Sequence, residues 1–211
     1  MLTAAPEDVD AATRRAAMLM IMLSSVATAM MLSTVHVALP GIARSLHVDA
    51  VTLSWVPMAY LLASASCVLA FARLADMYGR RRLFLIGTVG VVIASLIAAG
   101  AINTPMLLAA RVLQGASAAG LFATQIAIVS SVYSPAQRGA AIGATISAVY
   151  VGLSLGPVVG GQLIEWASWR AAFLPHLPLT LVALWLGLAR MRFEWREERP
   201  GAFDTGGALL Y

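Results

Sequence analysis

Six long stretches almost free of charge, near residues 16–39, 52–71, 83–102, 105–132, 139–163 and 171–189, constrain this chain more than any motif in it. Each is close to the roughly 20 apolar residues that a helix needs to cross the hydrocarbon layer of a bilayer. Transmembrane β-strands take only about 9–11 residues, so runs of this length do not describe a β-barrel. With 60% hydrophobic and 11% charged residues, the chain cannot hide its apolar surface inside a soluble domain. In lipid every backbone polar group must be paired within the protein, which makes the expected fold class an all-α membrane protein, a six-helix bundle. The spans use most of the sequence, leaving a tail at 1–15, a bundle over 16–190 and a linker over 191–211.

The basic residues give an orientation. All 14 are arginine. Arg14, Arg15, Arg73, Arg80, Arg81, Arg82, Arg138, Arg190, Arg192, Arg196 and Arg199 collect on one side of the six spans, Arg44 and Arg170 lie on the other, and Arg111 is inside a span. Arginine accumulates on the cytoplasmic side, so both termini are expected in the cytoplasm of a plasma (inner) membrane protein. The net charge of +4 then reflects topology and anionic lipid headgroups, and gives no reason to expect nucleic acid as a partner. Trp55, Trp166 and Trp169 fit an outer aromatic belt, with Tyr78, Tyr133 and Trp195 at the inner one.

Glu7, Asp8 and Asp10 precede Arg14 and Arg15, and the apolar run beyond is too long for a signal-peptide core, so it is expected to stay as the first helix. Cys67 is the only cysteine and lies within the second span, which rules out an internal disulfide and argues for packing rather than a metal cluster. No cofactor is expected, and no covalent chemistry. Pro105 and Pro135 stand where spans four and five begin, a position at which the missing amide hydrogen costs nothing. After Arg190 the mixed charge and Pro200-Gly201 read as a cytoplasmic linker, and Gly206 to Tyr211 turns apolar like the start of a seventh helix. That ending suggests a fragment of a longer chain.

Three motifs carry the functional reading. The segment Ala72 to Leu83, ARLADMYGRRRL, is a tight turn between two spans. Asp76 beside Arg73 and Arg80 can form charge-assisted hydrogen bonds and so latch one conformation, with Gly79 letting the turn close. Arg80 and Arg81, with Arg82, also serve as simple topology determinants on the alternative reading. Arg111, with Gln114 and Gly115, lies in span four, where a guanidinium costs roughly 2.5–3.5 kcal/mol near the helix centre on insertion scales. About 9 Å along the helix from Pro105, it can snorkel outward. Alternatively Gln114, Ala118 and Gln125 share its face and form a polar stripe toward a cavity. Gly152, Gly156 and Gly160 recur every four residues on span five, allowing close backbone approach, and Pro157 predicts a kink beside Gly156.

These motifs, in this order, resemble the N-terminal half of the major facilitator superfamily, most closely its fourteen-helix drug:proton antiporter group. Leu74, Ala75, Asp76, Gly79, Arg80 and Arg81 match the family's loop between helices two and three, which has glycine where this chain has Ala72. Arg111, Gln114 and Gly115 match its R-x-x-Q-G pattern, and Gly152, Gly156, Pro157, Gly160 and Gly161 match its antiporter motif. Val37 to Ile42 (VALPGI), Trp169-Arg170 and the closing FDTGGALL are also similar. The resemblance implies export of amphipathic small molecules by alternating access. It assigns Arg111 to proton coupling or substrate-linked charge, the loop to gating and the glycine motif to antiport. The partners it implies are a small-molecule substrate, protons, membrane lipid, and either a C-terminal half or a parallel homodimer partner.

Several positions depart from that group. Met31 stands where its first span usually carries aspartate, and His36 and His176 stand where asparagine is usual. No carboxylate lies deep in any span, so either His36 takes the proton or a carboxylate outside this half does. Polar packing at a helix bend is the other reading of His36 and His176. Two rival functions stay open: a facilitator-type importer or uniporter of a polar nutrient, and a non-transporting membrane protein that binds a partner through its glycine face.

Overall fold

The computed structural model describes residues 10–191, and every element within them is helical. The helices are α1 (Ala11–Leu46), α2 (Ala50–Tyr78), α3 (Arg80–Ala99), α4 (Thr104–Val132), α5 (Pro135–Trp166) and α6 (Leu177–Ala189), with a 3-10 segment, Trp169–Phe173, before α6. The expected linker, with Arg192, Arg196 and Arg199, and the inner-belt Trp195 lie outside the described residues, as do Glu7 and Asp8.

Most helices outrun the apolar windows that announced them. α1 has 36 residues, about 54 Å at 1.5 Å per residue against a hydrocarbon layer of about 30 Å. It starts where the Asp10 carboxylate accepts from the Thr13 amide at 3.2 Å, and it runs through Pro40 to a left-handed cap at His47 (φ 51°). Pro40 does not end it, because one missing amide hydrogen is tolerated where neighbouring helices support the backbone. Asp49 caps α2 in the same way through the Thr52 amide at 3.0 Å, and hydrogen bonding from the Thr52 side chain, then from that amide, holds its carboxyl below the ordinary carboxylate value. A single residue, Gly79, joins α2 to α3 at φ 109°, a conformation that strains any residue with a Cβ.

The sixth span, expected near 171–189 with His176 at a bend, is broken at that bend. Pro175 and Pro178 interrupt it, leaving a 3-10 turn, a break at Leu174–His176 and only 13 residues of α-helix. Trp169 also leaves the expected outer belt: it is 4% exposed, its Cβ faces Gly41 of α1, and its ring meets Phe173 edge-on at 6.4 Å. Trp55 and Trp166 are exposed, as a belt requires. Arg170 then donates to the Ala101 carbonyl at 2.8 and 3.1 Å, tying the start of the sixth span to the end of α3.

α5 packs along α1, α4 lies against both α2 and α3, and α6 touches α1 and α3. Lipid tails are as apolar as leucine, so helices associate in a bilayer through close packing of small residues rather than hydrophobic burial. The close approaches follow that rule: Gly87 and Gly90 sit on Ser117, Gly115 on the Tyr60 carbonyl, and Gly152, Gly156 and Gly160 on α1. α5 stays helical through Pro157, which faces outward.

Candidate functional site

Arg111 is fully buried, and so is Gln114. The expected polar stripe therefore faces the interior of the bundle and not an open cavity, and snorkelling is excluded for a side chain with no exposed surface. Arg111 Nε donates to the Val56 carbonyl of α2 at 3.0 Å, and Nη1 donates to Gln114 Oε1 at 2.6 Å. Gln114 Nε2 donates onward to Ser95 Oγ of α3 at 2.8 Å, and Ser95 Oγ lies 2.9 Å from His176 Nε2. Four elements thus meet in one polar chain. The guanidinium also lies over the Tyr60 ring, with Cζ 4.5 Å from its centroid, a geometry in which the aromatic face stabilises a cation.

This cluster has no carboxylate. The acids among the described residues are Asp10, Asp49, Asp76 and Glu165, and each stands at a helix end. Arg111 Nη2, the Tyr60 hydroxyl and His176 Nδ1 are buried with no hydrogen-bond partner among the described residues. Met31, at the position of the missing aspartate, is fully buried in the core cluster that also contains Tyr60. Gln125 belongs to a different junction, donating to Ser24 Oγ at 3.1 Å and accepting from Ser25 Oγ at 3.3 Å, which joins α4 to α1.

His36 lies elsewhere. It is exposed on α1 next to exposed Val37, and the buried polar chain reaches His176 instead. Sequence reasoning missed Ser95, Tyr60 and the Val56 carbonyl. A lone serine or tyrosine in an apolar run carries no pattern, although the oversized cost of Arg111 required partners on neighbouring helices.

The α2–α3 turn is built as a joint between helices. Asp76 Oδ1 accepts from Arg80 Nε at 3.2 Å and Nη2 at 3.0 Å, while Arg80 Nη1 donates to the Ala127 carbonyl and Ser131 Oγ of α4 at 3.2 and 2.9 Å. Arg81 Nε donates to the Gly187 carbonyl at 3.0 Å, in the last turn of α6, where a cation suits the unpaired carbonyls. Arg73 has its own interactions and is partly buried. The Asp76–Arg80 pair is 26% and 34% exposed, so its charge term is screened and worth under about 1 kcal/mol. Asp76→Asn is therefore expected to cost under ~1 kcal/mol, and Arg80→Ala, which also removes two bonds to α4, about 1.5–3 kcal/mol. Denaturant unfolding in detergent, followed by tryptophan fluorescence, compares them. Equal losses would make the ion pair, and not the tie to α4, the joint.

A groove of about 400 Å³ opens between α1, α2, α4 and α5, lined by Leu32, Tyr60, Leu61, Val68, Phe122 and Leu153 among others. α2 and α5 are the least buried of the helices, with 22% of their most apolar windows inside the bundle.

A bundle of six apolar helices with a buried arginine and a groove open to one side is the architecture of a multi-pass membrane protein. The chain belongs to the Major Facilitator Superfamily, whose family model matches residues 21–208. Such proteins are multi-pass proteins of the plasma membrane. The chain is 38% identical over 178 residues to the multidrug resistance protein Stp of Mycobacterium tuberculosis, covering 84% of this chain and 33% of that protein. It is 31% identical over 179 residues to the riboflavin transporter RibZ of Clostridioides difficile (85% and 39%), and 35% identical over 179 residues to the puromycin resistance protein pur8 of Streptomyces alboniger (84% and 35%). The chain thus spans about a third of the length of these curated relatives. In fold it is similar to a bacterial homologue of the human lysosomal transporter Spinster in its inward-facing, unoccupied conformation, at a TM-score of 0.78 and 20% identity, over 93% of this chain and 47% of that one.

Proposed function

We propose that this chain supplies one wall of an exporter of amphipathic small molecules that works by alternating access with proton antiport. The observation that carries the reading is the apolar groove between α1, α2, α4 and α5, backed by the buried arginine of α4. Facilitator halves hold substrate between them near the bilayer midplane, so a second wall is required, either a C-terminal half or a parallel second copy. The Asp76–Arg80–α4 tie acts as the gate: it holds one side closed and releases when that side opens. With both termini on the arginine-rich side, that side is the cytoplasm.

Proton coupling falls to His36 or to a carboxylate of the second wall, because no acid lies deep in the described spans. His36 is exposed on α1, outside the buried polar chain around Arg111. The names of Stp and pur8 favour outward transport. Vesicles holding the chain, loaded with amphipathic fluorescent dyes of either charge, are expected to lose dye when a proton gradient is imposed and to keep it when an uncoupler is added. Retention of every dye by vesicles with well-inserted protein would remove transport by this chain alone.

A further inference from the structure

Tyr60 belongs to two places at once. It lines the groove, and its ring lies against Arg111, with the side chain only 2% exposed. The ring is thus a partition between groove and guanidinium. Behind it stands a cation whose hydrogen-bond acceptors, the Val56 carbonyl and Gln114 Oε1, are both neutral, and whose Nη2 has no partner among the described residues. The Tyr60 hydroxyl is equally buried and unpartnered. Its backbone is held firmly: a Cβ on Gly115 would collide with the Tyr60 carbonyl, so α4 sits directly against this point of α2.

We propose that the groove selects apolar small molecules bearing an acidic or hydrogen-bond-accepting group, that Tyr60 is the residue through which Arg111 exerts this preference, and that cations are disfavoured. The inference rests on the transporter reading and names its cargo class. Coulombic interaction strengthens as the local dielectric falls, and the groove is lined mainly by apolar side chains, with Thr28 and Ser64 as its neutral polar ones. An anion in the groove supplies the opposite charge that Arg111 lacks; a cation adds a like charge beside it. Only the Tyr60 ring stands between a ligand in the groove and the guanidinium, so the charge acts across it without direct contact. No acid among the described residues lines the groove to attract a cation. Its size, about 400 Å³, falls within the range of roughly 300–1,000 Å³ that drug-sized ligands fill.

The test is equilibrium binding of two xanthene dyes, anionic fluorescein and cationic rhodamine 6G, to the purified chain in neutral phosphatidylcholine vesicles without a gradient. Binding to protein-free vesicles is subtracted. Fluorescein is expected to bind at least about tenfold more tightly. Tyr60→Phe, which keeps the ring in place, should leave both affinities within about twofold, and Tyr60→Ala, which opens the partition, should tighten fluorescein by at least about threefold. Arg111→Lys should keep the preference for the anion and Arg111→Met should abolish it; if Arg111→Met does not fold, Tyr60→Ala decides. Equal affinities, a preference for rhodamine, or no saturable fluorescein binding would overturn the proposal. Efflux without any charge preference defeats this inference alone, whereas anion-selective binding without efflux removes transport by this chain alone and leaves this inference standing.

Discussion

One added methyl group at Gly152 is expected to destabilise the bundle by about 1–3 kcal/mol, while the same methyl at Gly161 is expected to be neutral or to stabilise by up to about 1 kcal/mol. Both glycines lie in α5 within the same motif, so helix propensity favours alanine equally at each. Their surroundings differ. A Cβ at Gly152 would collide with the Val26 carbonyl oxygen of α1 and come within 2.9 Å of Ala29 Cβ. Neither can yield without moving α1, whose longest interface is with α5. At Gly161 the nearest atom is Val37 Cγ1 at 3.9 Å, ordinary van der Waals contact. Gly156 and Gly160 fall between, since the first obstacles are the side chains of Ser33 and Thr34, which have some freedom to turn. The loss at Gly152 should deepen with Gly152→Val, whose fold is expected to fail in detergent. Thermal unfolding of Gly152→Ala and Gly161→Ala side by side checks the order, and a reversed order would remove the motif's packing role.

The same glycines mark how far periodic pattern alone reaches. Spacing of four residues put Gly152, Gly156 and Gly160 on one face, and all three are buried against α1. Charge-poor length likewise announced six membrane helices, because lipid admits few other solutions. What pattern could not announce was context. The ends of α1 extend beyond its apolar window, since the hydrogen-bond ladder needs no lipid to continue. The break before α6 depended on whether Pro175 and Pro178 would kink or stop the helix, and proline residues do either. Trp169 went inside because Gly41 left room for it.

The site was legible in part for a related reason. An arginine in a span is an anomaly that composition reveals immediately. The 100° periodicity placed Gln114 beside it, and the 2.6 Å bond joins them. The same periodicity proposed Gln125 for that group, yet Gln125 bonds Ser24 and Ser25, because the helix is long enough for its two ends to meet different neighbours. That the polar chain ends on His176, in the break before α6, depends on packing that no pattern announces.

Arg111→Met is expected to leave unfolding stability within about 2 kcal/mol of the parent while lowering any gradient-driven efflux by roughly two orders of magnitude. Two terms oppose each other. Removing the guanidinium leaves Gln114 Oε1 without a donor, at about 1–3 kcal/mol, and takes the extra side-chain bond from the Val56 carbonyl, which keeps its place in the α2 ladder. Keeping it holds a charge out of water with no carboxylate nearby, an effective penalty of several kcal/mol per ion even after relaxation. Methionine is flexible, fills similar length and can remain against the Tyr60 ring, so the terms nearly cancel. Function has no such cancellation: the buried positive charge is the one property of this site that apolar packing cannot reproduce. Unfolding midpoints and efflux rates measured on the same preparations separate the two. A loss of stability well above 2 kcal/mol with efflux reduced only in proportion to folded protein would make Arg111 a staple between α2 and α4. Intact stability with lost efflux would mean that the bundle carries its buried charge for transport.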